Sequence, residues 1–274
     1  MSTIPLPSTL TKPQEVDPGF GGWHKTVGSF LSVKYPVTQW VIPKLVPGVG
    51  WTYLVSQAKV GKSMFAAQLA EAISLGLPFL GFDPPSKKWR VAYLQADEPA
   101  PEWQAQMAQM QLNPTAPILM AEDPEIYFLH SAEARKRVRD ALADNGIEYV
   151  IFDSQYSLFH KNLYDPEEVA NFRNALRDVW KGPFMLLHHP RKPPTTGGPG
   201  ENFIDGSAGS FALTANASAI LGLRPDRLVL AGGRLLKKAE YPMHRDDLTG
   251  RWMWGPGFAP TLPADVWTTA APGT

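Results

Sequence analysis

The chain has 274 residues, 44% hydrophobic and 19% charged, and its 26 Lys and Arg balance its 26 Asp and Glu. That length holds one large α/β domain with tails, or one domain plus a small appendage, and zero net charge excludes a global field steering the protein to nucleic acid. The lack of cysteine excludes disulfides, thiolate metal sites and thiol catalysis, and agrees with a reducing cytoplasm, the expected location.

Residues 1–36 are expected to form a flexible arm, rich in Pro, Ser, Thr and Gly over about the first 22. The arm lacks the basic-then-apolar form of a signal peptide, and no stretch of the chain approaches the ~20 apolar residues of a membrane span. No membrane partner is expected. The segment 37–50 is expected to pack beside the nucleotide site before the first strand, with Trp40 a candidate for contact with the core, the favoured role, or with the nucleotide base.

Trp51 to Val55 is an aromatic and β-branched run, as in a buried strand. Ser63 to Leu75 carries Phe65, Leu69 and Ile73 at helical spacing and stops at Gly76. Between them, Ser56-Gln57-Ala58-Lys59-Val60-Gly61-Lys62-Ser63 nearly fits G-x-x-x-x-G-K-[ST], the pattern of a phosphate-binding loop. Backbone N–H groups of such a loop curl into an anion nest, and the helix N-terminus adds partial positive charge. These eight residues and Met64 are the candidate nucleotide site. Lys62 is placed to reach the terminal phosphates, the Ser63 hydroxyl to hold Mg²⁺, and Gly61 to let the backbone approach. Ser56 departs from the pattern, since it puts a Cβ where the first glycine is usual.

Arg90 to Gln95 reads as a second strand, ending in Ala96-Asp97-Glu98-Pro99. Two carboxylates there sit where α/β sheets bind ligands. A helix follows over 102–111, with Trp103, Met107 and Met110 on its inner side. Residues 117–120 and 126–129 are short apolar runs, one or both a strand. Ser131 caps a helix running to Asn145, whose Arg135-Lys-Arg-Val-Arg139 run reads first as a solvated face. Ile147 to Asp153 is a buried strand tipped by a carboxylate, which after a phosphate loop is the pattern of an acid that orders a Mg²⁺ shell. Asp165 caps the next helix, and Phe184 to Leu187 is another buried strand, tipped by His188 and His189. A Gly- and Pro-rich loop follows to about 204, then a small-residue helix over 207–217. The segments 218–223, 227–231, 233–238 and 251–254 read as strands, the last three antiparallel at the sheet edge, and 256–274 as a frayed tail.

Together these motifs resemble the RecA-like ATPase core, and within it the DnaB- and RepA-type replicative helicases and their phage relatives. The matching runs are the phosphate loop, Tyr93-Leu-Gln-Ala-Asp-Glu-Pro99, the Asp153 strand, Leu187-His-His-Pro-Arg-Lys192, Asp205-Gly-Ser-Ala-Gly209 and Lys237-Lys-Ala-Glu-Tyr241. They occur in the family's order and span roughly 37–255, the expected ATPase domain. The resemblance implies a mainly parallel central sheet flanked by helices, with antiparallel strands at the C-terminal edge. It implies ATP and Mg²⁺ as cofactors, single-stranded DNA as partner, and a homo-oligomer, either a hexameric ring or a filament. By position, Lys62 and Ser63 bind phosphate and Mg²⁺, and Asp153 joins Ser63 at the metal. Asp97 stands where the RepA-type pattern has Glu, and Glu98 follows it, so either is a candidate to position the attacking water. His189, with His188 as second candidate, senses the γ-phosphate or DNA. Lys238, then Arg234, are candidates to reach a neighbouring subunit's nucleotide. Loops at about 154–164 and 190–204, the latter with Arg191 and Lys192, are those that bind DNA in the family. The function implied is a DNA-acting ATPase of helicase type. A repair or recombination ATPase that does not unwind, and a nucleotide-binding regulatory or assembly protein of low turnover, are the alternatives.

Overall fold

The structure, a computed structural model, describes residues 27–28, 39–121, 129, 131–158, 165–189 and 217–255. The chain divides into two units, 1–37 and 38–274. In the first, only Val27 and Gly28 are described, in a helical turn.

The second unit is built on one sheet. Alternating apolar strands and helices fold as β3 (Trp51–Val55), α1 (Lys62–Leu75), β4 (Val91–Gln95), α2 (Ala100–Gln109), β5 (Ile118–Met120), α3 (Ala132–Asp144), β6 (Tyr149–Asp153), α4 (Gln155–Leu158), α5 (Pro166–Val179) and β7 (Phe184–His188). Four further strands close the described chain: β8 (Ala219–Arg224), β9 (Arg227–Gly232), β10 (Ala239–Arg245) and β11 (Trp252–Trp254). Among the described residues the sheet has nine strands in the order β11-β10-β9-β8-β3-β7-β6-β4-β5. The six from β8 to β5 are parallel, while β9, β10 and β11 add antiparallel. The connection from β3 through α1 to β4 skips two positions, which β7 and β6 fill. It leaves a crevice at the carboxyl ends of the strands, where such sheets take ligands.

Strand periodicity explains the two cores. Tyr93, Ile151 and Leu187 face α1 and α2, while Leu94, Phe152 and Leu186 face α3 and α5. With both faces covered, the central strands are buried almost throughout. The α1 helix is buried on nearly every side, Glu71 and Ser74 included, so its sequence is apolar well beyond the Phe65, Leu69 and Ile73 stripe. The buried Glu71 is matched by Arg251 at 2.6 Å and by the Asn113 N–H at 2.7 Å.

Two segments depart from the sequence expectation. Residues 233–238 are not a strand. Gly232 and Gly233 take φ of 139° and 112°, which ends β9, and pairing resumes only at Ala239. A Cβ on Gly233 would also stand 2.6 Å from the Ser218 carbonyl oxygen. Trp40 is half-buried, not a core residue. It belongs to a small hairpin of β1 (Trp40–Ile42) and β2 (Val46–Pro47), in which Val41, Ile42, Leu45, Val46 and Pro47 are buried. Elsewhere the helix over 102–111 starts two residues early, at Ala100, with Pro101 in its first turn, and its Trp103 and Met110 are buried as expected. The run at 118–120 is a strand. The expected segments at 126–128, 190–204 and 207–216, and the tail after 255, lie outside the described residues.

Candidate nucleotide-binding and catalytic site

The loop from Ser56 to Gly61 joins β3 to α1. Its positive φ values fall at Lys59 (65°) and Gly61 (101°), not at Ser56. A Cβ at Ser56 is therefore tolerated without backbone strain. Ser56 is fully buried. Its N–H donates to the His188 carbonyl at 3.2 Å and its hydroxyl to the Gln57 carbonyl at 3.0 Å. The hydroxyl thus ties down the turn that glycine would form without a side chain. Gln57, Ala58 and Lys59 are exposed and Val60 is half-buried. Gly61 takes the N-cap position of α1, and among the described residues no side chain caps the helix start, which leaves its first N–H groups for an anion.

Lys62 is buried, and its ammonium lies 2.9 Å from His189 Nε2. Burial lowers its pKa, against the opposing pull of Asp153, Asp97 and Glu98. Asp153 ends β6 on the face that Tyr149 and Ile151 share, toward α1. Tyr93 pairs with Ile151 on the neighbouring strand, so its hydroxyl reaches diagonally to Asp153 Oδ2, at 2.7 Å. The same hydroxyl lies 3.2 Å from the Ser63 carbonyl. Burial pushes the Asp153 carboxyl up, even though Lys62, Ser63 and Tyr93 all favour its charge. Its Oδ1 is buried without a hydrogen-bond partner among the described residues. An orphaned carboxylate oxygen beside a serine at a helix start fits a hard divalent cation, which takes one or two carboxylates and completes its shell with phosphate and water. Ser63 and Asp153 would hold Mg²⁺ here. Among the described residues no cluster of three or more acidic or histidine side chains competes for that role.

The adjacent acids after β4 part company. Asp97 turns to His189, with Oδ2 3.8 Å from Nε2. Burial would raise its carboxyl, yet His189, Ser154 and Lys62 outweigh burial and hold it below the usual carboxylate range. Glu98 instead accepts from Gln106 of α2 at 2.5 Å. Burial raises its carboxyl, and Asp153, Glu102 and Asp97 add to this against Gln106. The two histidines part for the same reason of period. His188 lies on the Tyr53 face, stacked on that ring at 5.3 Å, and burial pushes its pKa down to about 3. It is neutral and structural in setting, whereas His189 joins the Lys62 and Asp97 cluster.

Sequence reasoning missed Tyr93 as the support of Asp153, and missed a second polar group behind it, in which Tyr53 donates to Gln155. The signal was available for Tyr93, a polar-tipped aromatic two residues from the end of a buried strand. Arg234 and Lys238 lie in the exposed turn between β9 and β10. The basic run on α3 is largely paired: Arg135 and Arg139 with Asp178, and Lys136 with Asp140. Arg191 and Lys192 lie outside the described residues.

No curated protein matches the chain. Among solved structures, a KaiC-like protein, PH0186, from the hyperthermophilic archaeon Pyrococcus horikoshii OT3 superposes with a TM-score of 0.52 at 13% identity, over 77% of this chain and 91% of that one. That likeness concerns the fold, which is the RecA-like P-loop ATPase fold. Among the described residues no helix is long and apolar enough to cross a membrane. Residues 24–195, more than half of the chain, match the AAA domain family, and the chain belongs to that family of P-loop ATPases.

Proposed function

We propose that the protein is a Mg²⁺-dependent ATPase that acts on single-stranded DNA as a homo-oligomer, a ring or filament, in the manner of RepA- and DnaB-type motors. The observation that carries the hydrolytic reading is the convergence of Lys62, Asp153, Asp97 and His189 at the carboxyl ends of β3, β4, β6 and β7. Lys62 neutralises charge on the terminal phosphates. The Asp153 carboxylate and the Ser63 hydroxyl would hold Mg²⁺, which would supply positive charge to offset that of the phosphates during transfer. Asp97, kept ionised by its neighbours, orients the attacking water and draws its proton. His189 lies between Lys62 and Asp97, so a phosphate that takes Lys62 away from it changes its contacts at the mouth of the following loop. The motor domain in this reading is 37–255, with 1–36 as arm and 256–274 as tail.

The DNA and helicase reading rests on the resemblance of the strand-end motifs to RepA-type proteins. Phosphate release from ATP with and without single-stranded DNA tests it, and DNA stimulation supports the motor. Lys238 acts on a neighbour's nucleotide in this reading. Lys238→Ala then binds ATP but hydrolyses it poorly, and mixing it with Lys62→Ala restores part of the activity. Failure of mixing, or a protein monomeric with ATP and DNA, removes the trans role. A second reading, a regulatory nucleotide-binding protein of low turnover, is favoured by the engagement of Lys62 with His189. Tight ATP binding without turnover selects it.

A further inference from the structure

The C-terminal edge of the sheet brings a second cation to the phosphate loop. Arg245 of β10 pairs across the ladder with Trp252 of β11. Trp252 is clamped to the loop and helix: its indole N–H donates to the Gly61 carbonyl at 3.1 Å, and its main chain exchanges bonds of 3.1 and 2.9 Å with the Gln68 side chain. This fixes the β10–β11 hairpin against the start of α1. The Arg245 guanidinium consequently lies on Gly61, since a Cβ built there would stand 3.1 Å from Nη1 and 3.3 Å from Cδ. The same Nη1 reaches Met64 Sδ at 3.8 Å, a weak acceptor.

Among the described residues Arg245 forms no ion pair, although arginines 135, 139, 227 and 251 all do. Its neighbours on the loop side are of like sign: the partial positive end of α1, and Lys62 one residue beyond Gly61. A cation held against the positive end of a helix is unfavourable until an anion arrives between them. The absence of a side chain at residue 61 is what lets the guanidinium come this close.

We propose that Arg245 is a nucleotide-phosphate ligand of its own subunit, supplied by the edge hairpin in addition to the phosphate loop. The inference rests on the nucleotide-binding reading above. It is separate from the trans role of Lys238, because Arg245 reaches the loop of the chain that carries it. The planar fork of arginine suits bidentate phosphate contact, which lysine cannot reproduce.

The test is equilibrium titration with a fluorescent ADP and a non-hydrolysable ATP analogue. The proteins are the parent, Arg245→Met, Arg245→Lys and Lys62→Ala, each also melted without nucleotide. Arg245→Met keeps the aliphatic stem and removes the charge. It is expected to bind both nucleotides about ten-fold to a hundred-fold more weakly than the parent, the scale of a lost charge-assisted hydrogen bond. Arg245→Lys falls between, and neither variant melts more than a few degrees below the parent. If Arg245→Met binds like the parent while Lys62→Ala does not, this inference is overturned and the nucleotide reading stands. If affinity falls only together with a large drop in melting temperature, and Arg245→Lys is no better than Arg245→Met, Arg245 is a packing residue and the inference is again overturned. If the parent itself binds neither nucleotide, the nucleotide reading fails and takes the inference with it.

Discussion

Asp153→Asn separates stability from function at this site. The buried carboxylate accepts from Tyr93 on Oδ2 and is also favoured by Ser63, while its Oδ1 has no hydrogen-bond partner among the described residues. Removing its charge weakens the Tyr93 bond from charge-assisted to neutral, a loss of about 1 kcal/mol. It also removes the attraction of Lys62. Against these stands release from desolvation, several kcal/mol for a buried ion. The sign of the sum follows from the raised pKa of Asp153, because burial there outweighs Lys62, Ser63 and Tyr93 together. At neutral pH the variant is expected to be more stable by about 1 kcal/mol, the usual gain from relieving a functional strain, or roughly 2–4 °C in melting temperature for a chain of this size. The pH dependence gives a second handle. A carboxyl raised on folding contributes stability fully below its unfolded value of about 4, and that stability is lost as pH rises through its folded value. The parent loses this contribution over that window, and Asp153→Asn does not. Turnover of ATP with Mg²⁺ is expected to fall at least about 10²-fold, because the cation loses its carboxylate. Thermal melts from pH 4 to 8, paired with phosphate release, read both effects. A variant that melts several degrees below the parent at neutral pH, or hydrolyses at the parent rate, refutes the reasoning.

Three further outcomes follow. Asp97→Asn should lower turnover by roughly 10² or more, a general-base-scale loss, and Glu98→Gln much less, as measured by steady-state phosphate release; the reverse order moves the role to the Gln106-bound residue. Tyr93→Phe should destabilise the fold by about 2 kcal/mol at pH 7 in chemical denaturation, and by less near pH 4, since the hydroxyl favours the ionised form of Asp153; an equal loss at both pH values would argue against that pairing. Arg251→Ala strands the buried Glu71 and should cost about 2–3 kcal/mol in the same assay, with Arg251→Ala/Glu71→Gln recovering part of it.

The order of strands and helices was legible because each central strand is a continuous apolar run bounded by turn residues or a charged tip. The phosphate loop was legible from Gly61, Lys62 and Ser63, and Asp153 from its place after four apolar residues. The split between Asp97 and Glu98, and between His188 and His189, follows from strand period, which sequence supplies, and from which helix covers each face, which it does not. Arg245 was not legible. It lies 184 positions from Gly61, and only the ladder register with Trp252 and the indole bond to Gly61 bring it there. The edge strands were misjudged at 233–238, where the positive φ of Gly232 and Gly233 ends the pairing.

Hydrolysis of ATP at the Lys62 and Asp153 site is what the proposed function requires of this protein. The decisive measurement is phosphate release from ATP by the parent and by Lys62→Ala, with Mg²⁺ and with the cation chelated. Mg²⁺-dependent release by the parent, lost in a Lys62→Ala protein that melts as the parent does or higher, is the predicted result. Equal release by the two proteins, or release indifferent to Mg²⁺, would contradict it.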